Sequence, residues 1–131
     1  MERGYELLDS GHLQKLERFG DKILIRPSRF SIWAPRNKNL WNTAAAEYEP
    51  KKGWKFSRES FQSWTIEEPF SNGSTLTLEL RLQNNGQIGF FPEHLQYADQ
   101  IEENLAKAKT SSDRRLQVLN LFAYTGLSTI I

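Results

Sequence analysis

Cysteine is absent from the 131 residues, and histidine occurs only twice, at His12 and His94. The first absence excludes disulfides, thiolate metal sites and a cysteine nucleophile. The second leaves too few imidazoles for a histidine-rich metal centre. No run approaches the ~18–20 apolar residues of a membrane span. Residues 1–13 lack the apolar core of a secretory signal, so a cytoplasmic location is expected. Internal repeats and low-complexity runs are also missing. Apolar residues of the AVILMFWYC set are modest at 38%, but four Trp and eight Phe offset this, because each large aromatic buries far more area than an average residue. A chain of this length buries roughly two-thirds of its unfolded surface and holds a core without staples.

The net charge of +1 conceals a dipolar distribution. Residues 15–58 carry Lys15, Arg18, Lys22, Arg26, Arg29, Arg36, Lys38, Lys51, Lys52, Lys55 and Arg58 against Glu17, Asp21, Glu47 and Glu49, a balance of +7. Residues 59–105 carry Glu59, Glu67, Glu68, Glu79, Glu93, Asp99, Glu102 and Glu103 against Arg81, a balance of −7. Either the first half meets a polyanionic partner or the two halves attract each other within the fold.

Residues 1–19 read as a polar lead-in with at most one short turn. Residues 22–25 alternate as a short strand that stops at Pro27, which cannot donate to a ladder. Residues 40–48, with the run Ala44-Ala45-Ala46, suit one helical turn or a strand edge. Residues 50–53 form a turn, and 54–56 and 64–66 read as strands. A hairpin loop follows at 69–74 with Asn72-Gly73 at its centre. Residues 75–82 alternate cleanly, with Leu76, Leu78, Leu80 and Leu82 on one face. After the turn Asn84-Asn85-Gly86, residues 87–91 read as a further strand. Pro92 then opens a helix to about residue 109, with Leu95, Ala98, Ile101, Leu105 and Ala108 in one apolar stripe. Residues 110–115 form a polar linker. Residues 116–122 are nearly all apolar, as in a strand buried on both faces of a parallel sheet. A turn at 123–126 and the start of a helix at 127–131 follow.

A buried strand, a small-residue turn with glycine and a helix start form the opening of a βαβ unit, whose turn receives nucleotide-like ligands in doubly wound folds. Spacing alone does not separate this from ordinary turn chemistry, because no Gly-x-Gly-x-x-Gly is present. The residues themselves go further. Val118-Leu119-Asn120-Leu121-Phe122-Ala123-Tyr124-Thr125-Gly126 resembles motif I of class I S-adenosylmethionine-dependent methyltransferases, in the variant of the large-subunit ribosomal RNA methyltransferase family. Gly86-Gln87-Ile88-Gly89-Phe90-Phe91-Pro92-Glu93-His94 resembles the segment that joins that family's small β-rich N-terminal domain to the helix before the catalytic domain. Tyr5-Glu6-Leu7-Leu8-Asp9-Ser10-Gly11 and Lys15-Leu16-Glu17-Arg18-Phe19-Gly20 resemble the start of a subgroup.

The resemblance implies an α+β fold: a small, mostly antiparallel β-rich domain with a long helix over 1–109, a linker at 110–115, and at 116–131 the first strand and turn of a truncated Rossmann-like α/β domain. It implies S-adenosylmethionine as cofactor, with Asn120, Phe122, Ala123, Tyr124, Thr125 and Gly126 at its site, and ribosomal RNA as substrate. Leu127 stands where many members carry a second glycine. The family's acidic ribose-binding residue and its Asp-Pro-Pro-type catalytic motif lie downstream of motif I, so no catalytic residue and no metal ligand is assigned and this stretch alone is expected to be inactive. The family's methyl transfer to a pyrimidine carbon resembles cysteine-nucleophile chemistry, and the chain has no cysteine.

Arg26, Arg29, Lys51, Lys52 and Lys55 are candidate RNA contacts. Trp33, Trp41, Trp54 and Trp64 are either core of a small β domain, which their size favours, or platforms for unpaired bases. His94 reads as a solvated or capping residue, Glu93 as a complement to the helix dipole, and Glu102 and Glu103 as a solvated face. Two other functions compete: a non-catalytic RNA-binding module, and a β-rich interaction domain lined with aromatics for sugars. The apolar residues of 116–131 are expected to cause self-association, or local disorder from about residue 110.

Overall fold

The computed structural model describes residues 4–70, 73–110 and 115–130. It is a mixed α+β structure whose strand pairs are mostly antiparallel. The chain divides into two compact units, one formed by Met1–Pro69 with Thr75–Gly89, the other by Phe70–Ser74 with Phe90–Ile131.

The first unit opens on two strands, β1 (Tyr5–Gly11) and β2 (Gln14–Phe19), where the sequence suggested only a lead-in. Their two-residue turn is His12-Leu13, with φ of 49° and 63°. Positive φ at both positions matches the twist of a hairpin, but Asn-Gly or Gly-Gly normally supplies it. β3 (Lys22–Pro27) follows the tight turn Gly20-Asp21 and pairs antiparallel with β2. Residues 28–45 then cross over, carrying the single-turn helix α1 (Lys38–Trp41), and return β4 (Ala46–Glu49) parallel to β3. Parallel neighbours require such a crossover. β5 (Gly53–Phe56) closes the five-stranded sheet in the order β1-β2-β3-β4-β5.

β6 (Ser63–Pro69) and β7 (Thr75–Arg81) form a separate two-stranded ladder in the same unit. The alternation expected along 75–82 holds: Leu76 and Leu78 are half-buried and Leu80 is buried, between exposed neighbours. Trp64 donates its indole N–H to the Phe19 carbonyl at 3.0 Å and so ties this ladder to the β2 end. The expected hairpin loop is present, with Phe70 N–H bonded to the Ser74 carbonyl at 2.9 Å; Asn72 lies outside the described residues. Residues 87–91 are not a strand. Arg81 and Gln83 bond back to the carbonyls of Ile88 and Gln87, which closes the turn, and no ladder continues from there. The core gathers Leu16, Phe19, Leu24, Ala46, Ile66, Leu80 and Ile88.

In the second unit the expected helix begins as a 3₁₀ helix, Pro92–Tyr97, and becomes α-helical as α2 (Ala98–Thr110). Its stripe is real but shallow: Ala98 is buried, Leu95, Ile101 and Leu105 are half-buried, and Ala108 is exposed. The expected linker falls mostly on residues 111–114, outside the described residues. Residues 116–122 do not form a strand. A strand exists only through a ladder partner, and among the described residues none pairs with this segment. The short helix α3 (Leu127–Ile130) stands where a helix start was expected.

Candidate functional site

One end of the five-stranded sheet collects the β1–β2 turn, Pro27 at the end of β3, and the β4–β5 turn. Together they line a cleft of about 350 Å³ that includes His12, Leu13, Gln14, Arg29, Tyr48 and Glu49. The crossover segment is fastened to this end. Leu13 N–H donates to the Ser31 carbonyl and His12 N–H to the Trp33 carbonyl, each at 2.8 Å. Further along, the buried Asp9 carboxylate receives N–H bonds from Ser10 at 2.8 Å, Arg36 at 3.3 Å and Asn37 at 3.1 Å, and from the Trp41 indole at 2.9 Å. Burial alone raises its pKa, but these bonds outweigh that and hold it at about 2. Nothing in the sequence marked Asp9 as a hub, because its partners are main-chain groups and one residue far along the chain.

Of the five basic residues expected to meet RNA, four are exposed and one is not. Arg26 is buried, with its Nε 2.7 Å from Glu17 Oε2 and a terminal nitrogen 3.0 Å from Glu17 Oε1, and it also lies over the Phe19 ring. Its guanidinium is consumed inside the fold, which corrects its assignment as an RNA contact. Arg29 rests over the Phe30 ring, 4.8 Å from its centroid. Lys51 occupies the β4–β5 turn with φ of 71°. Lys52 and Lys55 reach the Glu49 carboxylate at 2.7 and 3.7 Å. The hydrogen bond to Lys52, then its charge, lowers the Glu49 pKa, and the same bond raises that of Lys52.

The tryptophans divide. Trp41, Trp54 and Trp64 are half-buried, each with its indole N–H on a fixed acceptor: Asp9, the Gln83 carbonyl at 2.8 Å and the Phe19 carbonyl. Trp33 is exposed, and its N–H donates to the Ser10 carbonyl at 2.9 Å. At the opposite end of the sheet a cleft of about 730 Å³ is lined by Lys22, Asn42, Thr43, Ser57, Arg58 and Phe61, among others. The Lys22 ammonium sits 5.4 Å from the Phe61 centroid, and Ser57 donates to the Ala44 carbonyl at 2.6 Å. These residues are scattered along the chain, so no local motif announced the cleft.

In the second unit, residues 120–126 form a turn closed by Gly126 N–H on the Ala123 carbonyl at 2.8 Å. Phe122 and Tyr124 hold φ of 59° and 54°, and Gly126 holds 91°. A Cβ built on Gly126 meets nothing within 4 Å, so a ligand can approach its backbone directly. The Asn120 amide donates to the Ser128 and Thr129 hydroxyls at 3.0 and 2.7 Å, which folds the turn back on α3. The Tyr124 ring packs on Phe91 with centroids 4.6 Å apart, and Phe91 also lies near His94. Phe122 is 97% exposed, and Thr125 is also exposed. Glu93, Glu102 and Glu103 are exposed. The turn is therefore open at Gly126 and fits a ligand that approaches through its backbone, and the second unit holds no strand among the described residues.

Among the described residues no cluster of three or more His, Asp or Glu side chains suits a metal ion, and no helix is long and apolar enough to cross a membrane. No protein-family model matches the chain, and no curated protein matches it significantly. Among solved structures, the chain is similar to a SAM-dependent methyltransferase from Agrobacterium tumefaciens, with a TM-score of 0.76 and 31% identity. The match covers 97% of this chain and spans 39% of the length of that protein.

Proposed function

We propose that the chain is the N-terminal portion of an S-adenosylmethionine-dependent methyltransferase of class I, with ribosomal RNA as substrate. The observation that carries this is the likeness to the Agrobacterium tumefaciens methyltransferase, at 31% identity across 97% of the chain. The turn at 120–126 supports it: Gly126 leaves the backbone open, and Asn120, Phe122, Ala123, Tyr124 and Thr125 precede it in the same turn. In this reading these residues form one wall of the cofactor site, and residues 1–109 form the substrate-facing domain. S-adenosylmethionine would supply an electrophilic methyl group. The chain's own part is to hold the cofactor through the turn and to present RNA through the basic sheet end.

A chimera tests this. The matched portion of the Agrobacterium tumefaciens protein is replaced by this chain, and binding of radiolabelled S-adenosylmethionine and methyl transfer to deproteinised ribosomal RNA are measured. The folded chimera should bind the cofactor, and Gly126→Val within it should abolish binding by filling the open approach. A folded chimera that retains no cofactor overturns the methyltransferase reading. One that binds it but leaves ribosomal RNA unlabelled overturns the substrate.

A further inference from the structure

Residues 27–46 include Arg29, Arg36 and Lys38 and not one aspartate or glutamate. Over the first part of this stretch the chain lies as a strap across the β1–β2 turn. Beyond the two bonds from His12 and Leu13, Ser28 N–H donates to the Leu13 carbonyl at 2.8 Å, and the Ser28 and Ser31 hydroxyls bond at 2.8 Å. Ser31 is buried, and its neighbours Phe30 and Ile32 point out, 75% and 78% exposed. Trp33 is 53% exposed, with its indole fixed to Ser10. Apolar side chains of this size are normally buried, and several of them exposed on a hydrogen-bonded backbone mark a recognition surface.

Charge decides what the surface receives. The strap has three cations and no acid, and the Asp9 carboxylate beneath it is occupied by four donors. Lys51 and Lys52 stand at the neighbouring turn, whose Glu49 shares the 350 Å³ cleft with Arg29. Partners therefore need negative charge together with flat apolar faces. An unpaired polynucleotide offers both, whereas a duplex hides its base faces by stacking. Arg29 over Phe30 is already arranged as a cation on a ring, which a base can extend.

We propose that Phe30 and Trp33, with Arg29, form a stacking platform for unpaired bases of RNA, while Arg36, Lys38, Lys51 and Lys52 meet its phosphates. The cleft beside it, with His12, Gln14 and Tyr48, takes the edge of one base. Its volume lies within the ~300–1,000 Å³ range of small-ligand pockets. This deepens the RNA part of the reading above and rests on it.

The test is fluorescence anisotropy of the 131-residue chain with a labelled oligouridylate of about 12 nucleotides, within the usual site size of such surfaces. Phe30→Ala and Trp33→Ala should each weaken binding about ten-fold or more, as loss of one stacked base does. Trp33→Phe keeps a ring and should lose less. Ile32→Ser, which removes an equally exposed side chain that cannot stack, should leave affinity unchanged. Circular dichroism verifies that each variant folds. A blunt-ended RNA duplex should bind more weakly and respond to neither aromatic change. Binding of oligouridylate that survives both alanine changes overturns the platform and leaves the RNA reading in place. No binding at low salt overturns the platform and the RNA substrate together, while cofactor binding by the chimera judges the methyltransferase reading separately. If Ile32→Ser instead abolishes self-association in sedimentation and RNA binding ignores the rings, the surface belongs to a second copy of the chain.

Discussion

Arg26 on β3 and Glu17 on β2 meet diagonally, two positions out of register, with both side chains buried and the Arg26 Nε 2.7 Å from Glu17 Oε2. The Lys15 ammonium and the Tyr5 hydroxyl also reach Glu17 Oε1, at 3.0 and 3.2 Å. Part of the positive excess of residues 15–58 is thus turned inward and neutralised within its own sheet. The basic surface that remains is narrower than composition suggests.

Removing one member of this pair should be far worse than removing both. Arg26→Met leaves the Glu17 carboxylate with less compensation, and Glu17→Leu strands a buried guanidinium. Each should cost about 3–5 kcal/mol, as broken buried ion pairs do. The double variant Glu17→Leu/Arg26→Met should lose less than either single variant. Urea unfolding midpoints of the four proteins decide the matter. Additive losses would mean that the pair acts as two independent groups.

The Asp9 carboxylate links β1 to the crossover segment and should make the first unit acid-sensitive. Its pKa falls from the ordinary 3.8 to about 2 in the fold, so the stability it contributes is full above pH 4 and is lost as pH falls through about 2. Asp9→Asn keeps the shape but turns an amide N–H toward groups that donate. It should destabilise the protein by about 1–3 kcal/mol at neutral pH and flatten the loss of stability between pH 4 and 2. Thermal unfolding followed by circular dichroism across that range checks it. An unchanged acid limb would remove Asp9 as its source.

Two glycines separate backbone strain from crowding. Gly73 and Gly86 share positive φ, 85° and 80°. A Cβ on Gly73 meets nothing within 4 Å, whereas one on Gly86 falls 2.6 Å from the Tyr48 ring. Gly73→Ala should therefore cost only the roughly 1–2 kcal/mol of a left-handed alanine. Gly86→Ala should add about 1–3 kcal/mol for displacing a ring whose hydroxyl is bonded to the Asn84 carbonyl at 2.8 Å. Equal losses at the two sites in urea unfolding would show that Tyr48 yields freely.

Local pattern made β3, β5, β6 and β7 legible, because alternation and a bounding proline or glycine act within a few residues. The β1–β2 hairpin was not, since His12-Leu13 carries positive φ without glycine or asparagine and is held by long-range bonds from the strap. Residues 116–122 misled in the opposite direction: an apolar run is a strand only where a sheet receives it. Among the site residues, burial removed Arg26, and no one-dimensional signal distinguishes a paired arginine from a free one. The acid-free stretch 27–46 was readable, yet Phe30 gained meaning only when the backbone bonds of Ser31 turned it outward.

The segment 115–122 should drive self-association. Leu116, Val118, Leu119, Leu121 and Phe122 are all exposed, and no strand among the described residues pairs with their backbone. A run rich in exposed apolar residues that no strand pairs is a template for another copy, because pairing satisfies the backbone and buries the side chains in one step. Sedimentation velocity across a concentration series should show the full chain gaining mass as concentration rises. Leu119→Ser/Leu121→Ser, and deletion of residues 111–131, should both remain monomeric over the same range. Ile32→Ser is the control, since it removes exposed apolar area in the first unit and should leave this association intact. If the full chain is as monomeric as the deletion form, these side chains are covered in solution, and the run does not act as an open strand edge.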